Sequence, residues 1–421
     1  MHVAVFGAGY AGLGVTRRLE DALPPETRLT LVNDGPDHVV THEIHRAIRR
    51  PAVAEAISVP LEEVVDRAEV VTSPVVELDP EAGVAELASG EELPYDYGAV
   101  TFGSETAFYG IDGLEAHAHP LKTLEHAGAI REDALDTIEA ARENRASATA
   151  DDASATADGE SSTADGESST ADGAHHVDAS TATEPGGRII VGGAGLSGVQ
   201  VAGELAALAR EEGVTVPDDL QITLVEQLAT VAPNFPPNFQ RAVRDALTDR
   251  GVEVRTETTV VEVDEETVVT DGRDLPYDTL VWTGGIAGRA PTNGERPVVR
   301  ADLRLTDRTF ALGDAARVVD ADGEPVPASA SAAIREAKTA ARNLTRLVED
   351  DGDGFDPRLD RYRFDVPGWL VSVGDGAVAQ LGPTVLTGAA AAAVKTSVGA
   401  GYLTSVGATR NAVELAEKEL S

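Results

Sequence analysis

The chain has 421 residues, 42% of them hydrophobic, long enough to bury the cores of two or three domains. Its 72 acids against 34 bases give a net charge of -38, which disfavours nucleic-acid binding, because phosphate contacts need clustered Lys and Arg. It has no cysteine, which excludes disulfides, thiolate metal sites and redox-active thiol pairs.

Only four of the bases are lysines, Lys122, Lys338, Lys395 and Lys418. An acidic, lysine-poor chain resembles proteins of salt-loving organisms, where concentrated salt screens the self-repulsion. The rival reading is an acidic face that meets a basic partner. The opening Met1-His2-Val3-Ala4-Val5 enters a strand directly, so no signal peptide is expected.

Residues 3–32 read as strand, glycine turn, helix and strand. Gly7-Ala8-Gly9-Tyr10-Ala11-Gly12 is the glycine pattern of a dinucleotide turn. The first glycine makes the tight turn, the second admits a pyrophosphate, and the third lets helix and strand pack. Helix N-terminal N–H groups would hold the phosphate charge. The acid usual after the second strand is replaced by Asn33, followed by Asp34. Asn still hydrogen-bonds ribose hydroxyls.

Residues 146–184 are dominated by Ser, Thr, Ala, Asp, Glu and Gly, and Thr156 to Gly173 repeats TADGESS. That heptad offers no apolar seam. Residues 144–187 are therefore expected to form a disordered acidic insertion.

Residues 188–226 repeat the strand–turn–helix–strand pattern, with Gly193-Ala194-Gly195-Leu196-Ser197-Gly198 as the second glycine loop. Two such units imply two nucleotide-binding modules in an α/β chain. Here the second strand ends in Glu226, suited to accept both ribose hydroxyls of NADH and to repel a 2′-phosphate; the alternative is a surface carboxylate. VRTETTVVEVDEETVVTDG then alternates as a β-meander would.

Thr309 to Ala315 reads as a short apolar strand ending in Gly313-Asp314 at a helix start. In two-dinucleotide flavoproteins an Asp so placed accepts a hydrogen bond from the ribityl chain of FAD. Residues 328–349 read as a helix, and from about Phe364 strands are followed by Ala-rich helices. Val385 to Ala408 is mostly Ala, Gly, Ser and Thr and carries Lys395, so it does not read as membrane-spanning.

Together these residues resemble type II NADH dehydrogenases, single-chain FAD enzymes that pass electrons from NADH to membrane quinone. The likeness includes LTLVND, THEIHRA with His42 and His45, LPYDYGAVTFGSETAFYGIDGL and HPLKTLEHAGAIR. It continues through VGGAGLSGVQVAGEL, YDTLVWTGGIAG, FALGDAA and VPGWLVSVGDGAVAQLG. The resemblance implies two Rossmann-like domains, the NADH domain (188–290) inserted in an FAD domain (1–143 and 291–363). A C-terminal module (364–421) would meet the acceptor or the membrane. It implies FAD and NADH as cofactors and hydride transfer from nicotinamide C4 to flavin N5. Cofactor contacts then extend to His45, Gly103, Gly284 and Ala330. A cytoplasmic protein, peripheral at the inner membrane face, and a homodimer are its further implications.

Three positions depart from the family. Gln200 stands where a Glu usually faces the nicotinamide and flavin, and Ser331 and Arg335 stand where two glutamines line the quinone site. Gln200 either orients the nicotinamide or only finishes a solvent face. Lys395, alone in an Ala-rich stretch, is a candidate for a flavin or quinone contact, against a plain surface lysine. His45 packs beside the flavin or sits on the surface. His42, His45, His117 and His119 show no metal-ligand spacing. Three functions remain open: an NADH:quinone oxidoreductase, a soluble NADH-dependent reductase with another acceptor, and a flavin-binding redox sensor.

Overall fold

The computed structural model describes residues 1–157, 185–350 and 357–420. Two five-stranded parallel sheets organise it. The first contains β1 (His2–Phe6), β2 (Arg28–Asn33), β3 (Glu69–Thr72), β4 (Tyr97–Val100) and β10 (Thr309–Ala311) in the order β10-β4-β1-β2-β3. The second contains β5 (His119–Pro120), β6 (Gly187–Gly192), β7 (Leu220–Val225), β8 (Glu253–Arg255) and β9 (Thr279–Trp282) in the order β5-β9-β6-β7-β8. The register is parallel throughout, with His2 opposite Arg28 and Gly187 opposite Leu220. In both sheets the strand that leads into a glycine loop is central. Ligands of such sheets bind beyond the carboxyl ends of these strands.

The chain leaves the first sheet after β4 and returns after β9. The two crossings pair antiparallel, Glu105–Thr106 against Ile286–Ala287. Central strands are buried on both faces, which is why Val3-Ala4-Val5 and Ile189-Ile190-Val191 are unbroken apolar runs.

Helix α1 (Tyr10–Ala22) follows the first loop and buries Leu13, Val15 and Leu19 against the sheet. Helix α3 (Leu196–Glu211) does the same after the second loop, burying Val199, Val201 and Leu205. Helix α4 (Ala330–Val348) is capped by Ser329, whose side chain accepts the Ala332 N–H. It crosses α1 at small residues, where a Cβ on Gly14 would lie 3.0 Å from that of Ala337.

The meander reading needs one correction. Glu253–Arg255 joins the parallel sheet as its edge strand, and only Val260–Val263, Thr267–Thr270 and Leu275–Pro276 form an antiparallel sheet. The disordered-insertion reading is corrected at its start. Helix α2 (Leu124–Ala157) runs on to Ala157, because an Ala-rich stretch lacking Pro and Gly continues a helix readily. The remainder of that stretch, 158–184, lies outside the described residues. The C-terminal stretch folds as expected, into an antiparallel sheet β11 (Gly368–Val373), β12 (Gly376–Leu381) and β13 (Thr384–Thr387). Helices α5 (Gly388–Ser405) and α6 (Thr409–Leu420) follow it.

Candidate dinucleotide cleft

Both glycine loops open into one cleft of about 2260 Å³, well above the few hundred to about 1,000 Å³ of ordinary ligand pockets. The loops are built alike. Gly7 has φ +103° and Gly193 φ +90°, backbone that a side chain would strain. A hydroxyl locks each turn: Thr101 Oγ1 donates to the Phe6 and Gly7 carbonyls at 2.8 Å, and Thr283 Oγ1 to those of Gly192 and Gly193 at 2.9 Å.

The three glycines of each loop divide into two kinds. A Cβ on Gly12 would lie 1.7 Å from the Gly7 oxygen, and one on Gly198 1.9 Å from the Gly193 oxygen. These two permit helix–turn packing and do not line the cleft. At Gly9 and Gly195 a Cβ would meet nothing within 4 Å and would project into the open cleft. Packing does not explain the absence of a side chain there, whereas close approach by a pyrophosphate does. The cleft thus fits two dinucleotides by shape.

The acid or amide after each second strand braces its loop. Asn33 Oδ1 accepts the Ala8 N–H at 2.8 Å, and its amide donates to the Gly35 carbonyl at 2.8 Å. Glu226 Oε2 accepts the Ala194 N–H at 2.8 Å, and Oε1 accepts that of Leu228 at 2.9 Å. The buried Glu226 is therefore not a surface carboxylate. Each of its oxygens keeps a further lone pair for a ribose hydroxyl. Asp34 is exposed and paired with Arg289 at 3.2 Å, while Arg289 also lies 3.5 Å from Glu105.

Tyr10, Ala11, Gly103, Leu196, Ser197, Gly284, Gly313, Asp314 and Ala330 all line the cleft. A Cβ on Gly284 would lie 2.5 Å from the Trp282 ring, whose indole donates to the Ala107 carbonyl at 2.9 Å. The Gly313 N–H, which starts the turn presenting Asp314, donates to Glu336 Oε2 at 2.7 Å. Glu336 is buried and its carboxyl is pushed up to about 7, chiefly by burial and further by the nearby Asp314 charge.

Gln200, His45 and Lys395 meet on the far side of the cleft. Gln200 Nε2 donates to Ser372 Oγ at 3.2 Å, and His45 Nε2 lies 2.8 Å from the same hydroxyl. Gln200 thus faces the cleft and not solvent, and His45 is buried, not a surface residue. Burial, reinforced by the Lys395 and Arg46 charges, lowers the His45 pKa to about 3 despite Glu43, so its imidazole is neutral. Lys395 is half-buried and lines the cleft. Arg335 donates to Ser331 Oγ at 2.5 Å, so these two cleft residues form one polar unit. His119 pairs with Asp133 at 3.3 Å outside the cleft, and His117 also lies outside it.

Sequence reasoning missed a cluster behind the first loop. His38 Nδ1 lies 2.7 Å from the Ala8 carbonyl, so it is the protonated nitrogen; Nε2 then accepts the Tyr402 hydroxyl at 2.8 Å. Burial holds His38 neutral, at about 4. Tyr10 stacks edge-on against Tyr402 at 4.8 Å and bonds to His42. This cluster ties helix α5 to the first glycine loop. It was not legible because the partners lie 364 residues apart. Ser372 was missed for the same reason, lying 327 residues from His45.

The fold and cleft define an oxidoreductase of the two-dinucleotide α/β class. Residues 1–337 match the pyridine nucleotide-disulphide oxidoreductase model, and the chain belongs to that family. It is 26% identical over 373 residues, 83% of each chain, to the type II NADH:quinone oxidoreductase of Staphylococcus aureus. Its fold is similar to that of NDH2 from Plasmodium falciparum, solved in complex with NADH (TM-score 0.74, 14% identity, 99% and 97% coverage). It is likewise similar to the sulfide:quinone oxidoreductase of Aquifex aeolicus (TM-score 0.70, 17% identity, 97% and 92% coverage).

Proposed function

We propose that the chain is an FAD-dependent NADH:quinone oxidoreductase, with FAD on the first glycine loop and NADH on the second. The observation that carries this is a single cleft onto which two cradles open, each with one glycine whose missing side chain leaves room for a ligand. In the domain reading, residues 188–290 form the NADH domain inserted between the FAD segments 1–143 and 291–363, and 364–421 form the acceptor-side module.

Bound FAD would supply the redox chemistry, accepting a hydride from NADH and releasing two electrons to the acceptor. The chain's own residues orient and exclude. The N-termini of α1 and α3 hold the pyrophosphates. Asn33 and Glu226 brace the loops, and Glu226 also takes the ribose hydroxyls of NADH. Asp314, on the turn that Glu336 holds, would accept from the ribityl chain of FAD. Gln200 is fixed by Ser372 and so positions the nicotinamide without adding a negative charge. Arg335, with Ser331, can donate to a quinone carbonyl.

The C-terminal module is proposed to touch the membrane surface. Among the described residues no helix is long and apolar enough to cross a membrane, yet Leu381, Val398 and Val413 stand exposed on this module. Flotation of the protein with lipid vesicles, lost on changing these three residues to Ser, checks that part.

The purified protein should be yellow, bleach with NADH under anaerobic conditions, and recover its colour on adding a menaquinone analogue. Bleaching without recovery would point to a non-quinone acceptor such as a ferredoxin. Bound flavin that NADH does not bleach would leave the redox-sensor reading.

A further inference from the structure

The crossing from the first unit to the second runs into a tight turn, Phe108-Tyr109-Gly110-Ile111. The Ile111 N–H donates to the Phe108 carbonyl at 3.1 Å, and both central residues are left-handed, Tyr109 at φ +56° and Gly110 at φ +67°. Positive φ at both centres marks a type I′ turn, which Asn-Gly or Gly-Gly adopts readily and a bulky side chain does not. The backbone therefore suits Asn or Gly at position 109, and the chain has Tyr.

The side chain is out of place in a second way. Tyr109 is 66% exposed, the one exposed aromatic among the described residues. It lines the cleft and stands over the end of β9, where a Cβ on Gly285 would lie 1.9 Å from the Tyr109 hydroxyl oxygen. Gly284, one residue earlier, abuts the second glycine loop, since a Cβ on Gly193 would lie 2.6 Å from the Gly284 Cα. Tyr109 thus stands beside the second cradle, although the chain reaches it from the first unit.

Sheet order decides which half of a dinucleotide comes there. In the second sheet β6 lies between β7 and β9. Glu226, just beyond β7, would take the adenine-side ribose, and Gly195, just beyond β6, would admit the pyrophosphate. A dinucleotide laid across these strand ends has its other half over β9, where Gly284, Gly285 and Tyr109 meet.

We infer that Tyr109 is a binding residue for the nicotinamide half of NADH, its ring packing on that half as it crosses Gly284 and Gly285. The inference rests on the NADH reading above. An aromatic face gives a planar ligand ring a large apolar contact. Backbone strain of this kind persists where a ligand needs the side chain.

The test is calorimetric titration of the full-length protein, saturated with FAD, with NAD⁺ and with ADP, neither of which reduces the flavin. Wild type, Tyr109→Asn and Tyr109→Phe are compared, and thermal unfolding is measured alongside. Tyr109→Asn should weaken NAD⁺ binding about tenfold and leave ADP binding unchanged. It should also keep or raise Tm, because Asn-Gly suits the turn. Tyr109→Phe keeps the ring and should bind NAD⁺ within about twofold of wild type. Equal loss of NAD⁺ and ADP affinity, or a lowered Tm or failed folding in the Asn variant, would make the ring a structural prop and overturn the inference. Unchanged NAD⁺ affinity in the Asn variant would do the same, as would a Phe variant as weak as the Asn one. Wild type that binds neither nucleotide would instead refute the NADH reading itself.

Discussion

The two glycine loops share a backbone and differ in what braces them. Each has a left-handed first glycine, a threonine hydroxyl across the turn, and an Ala N–H accepted at 2.8 Å by the side chain ending the second strand. In the first loop that side chain is a neutral amide whose donor is committed to Gly35, and buried His38 holds the Ala8 carbonyl from behind. In the second it is a carboxylate, with accepting capacity to spare. One architecture thus yields a tightly held cradle, suited to a resident group, and a charged one, suited to a ribose that comes and goes.

The sharpest way to break this comparison uses the two open glycines. Gly9→Val should fold, because its Cβ meets no protein atom, but lose FAD affinity on the order of 1,000-fold, about 4 kcal/mol. Gly195→Val should stay yellow and lose NADH affinity by a similar factor. Flavin content and NADH titration read the two effects, and a shared phenotype would erase the distinction.

A second prediction concerns the turn that presents Asp314. Glu336 keeps its proton to about 7 when folded but only to about 4.5 when unfolded, so between these values folding takes up a proton. Stability therefore falls as pH rises through that window, and the loss is complete above it. Glu336→Gln keeps an acceptor for the Gly313 N–H and cannot titrate. It should match wild type near pH 4.5 and exceed it above pH 7 by on the order of 3 kcal/mol in chemical denaturation.

Smaller changes separate the two braces. Glu226→Gln leaves one backbone N–H without its acceptor and removes the charge. NADH KM should rise about tenfold, by 1–2 kcal/mol, with kcat little changed and discrimination against NADPH reduced. Asn33→Asp should instead weaken retention of flavin, because a carboxylate cannot donate to the Gly35 carbonyl. The smallest expected effect is general. A net charge of -38 implies self-repulsion, so molar KCl should raise Tm by a few degrees, about 2 °C per kcal/mol relieved.

Much of this was legible in the sequence because it is local. A glycine loop, its strand and its helix lie within thirty or so residues, and Gly9, Gly195, Asn33 and Glu226 could be placed by spacing alone. The limits are physical as well. Gln200 looked ambiguous because its partner, Ser372, lies 172 residues on. Lys122 was visible only as part of HPLKTLEHAGAIR, and its bond to the Ser104 hydroxyl was not. His38 and Tyr402 join ends of the chain that only the folded sheet order brings together. The Ala-rich start of the acidic insertion read as disordered by composition, but α2 supplies a preformed turn from which helix propagates.

The central claim is that nicotinamide and flavin meet in one cleft, and rapid anaerobic mixing of the yellow protein with NADH deuterated at C4 tests it most directly. The account predicts that the bound flavin bleaches in a single turnover, more slowly than with unlabelled NADH. Flavin that stays oxidised, or bleaches only when a separate mediator is added, would contradict it.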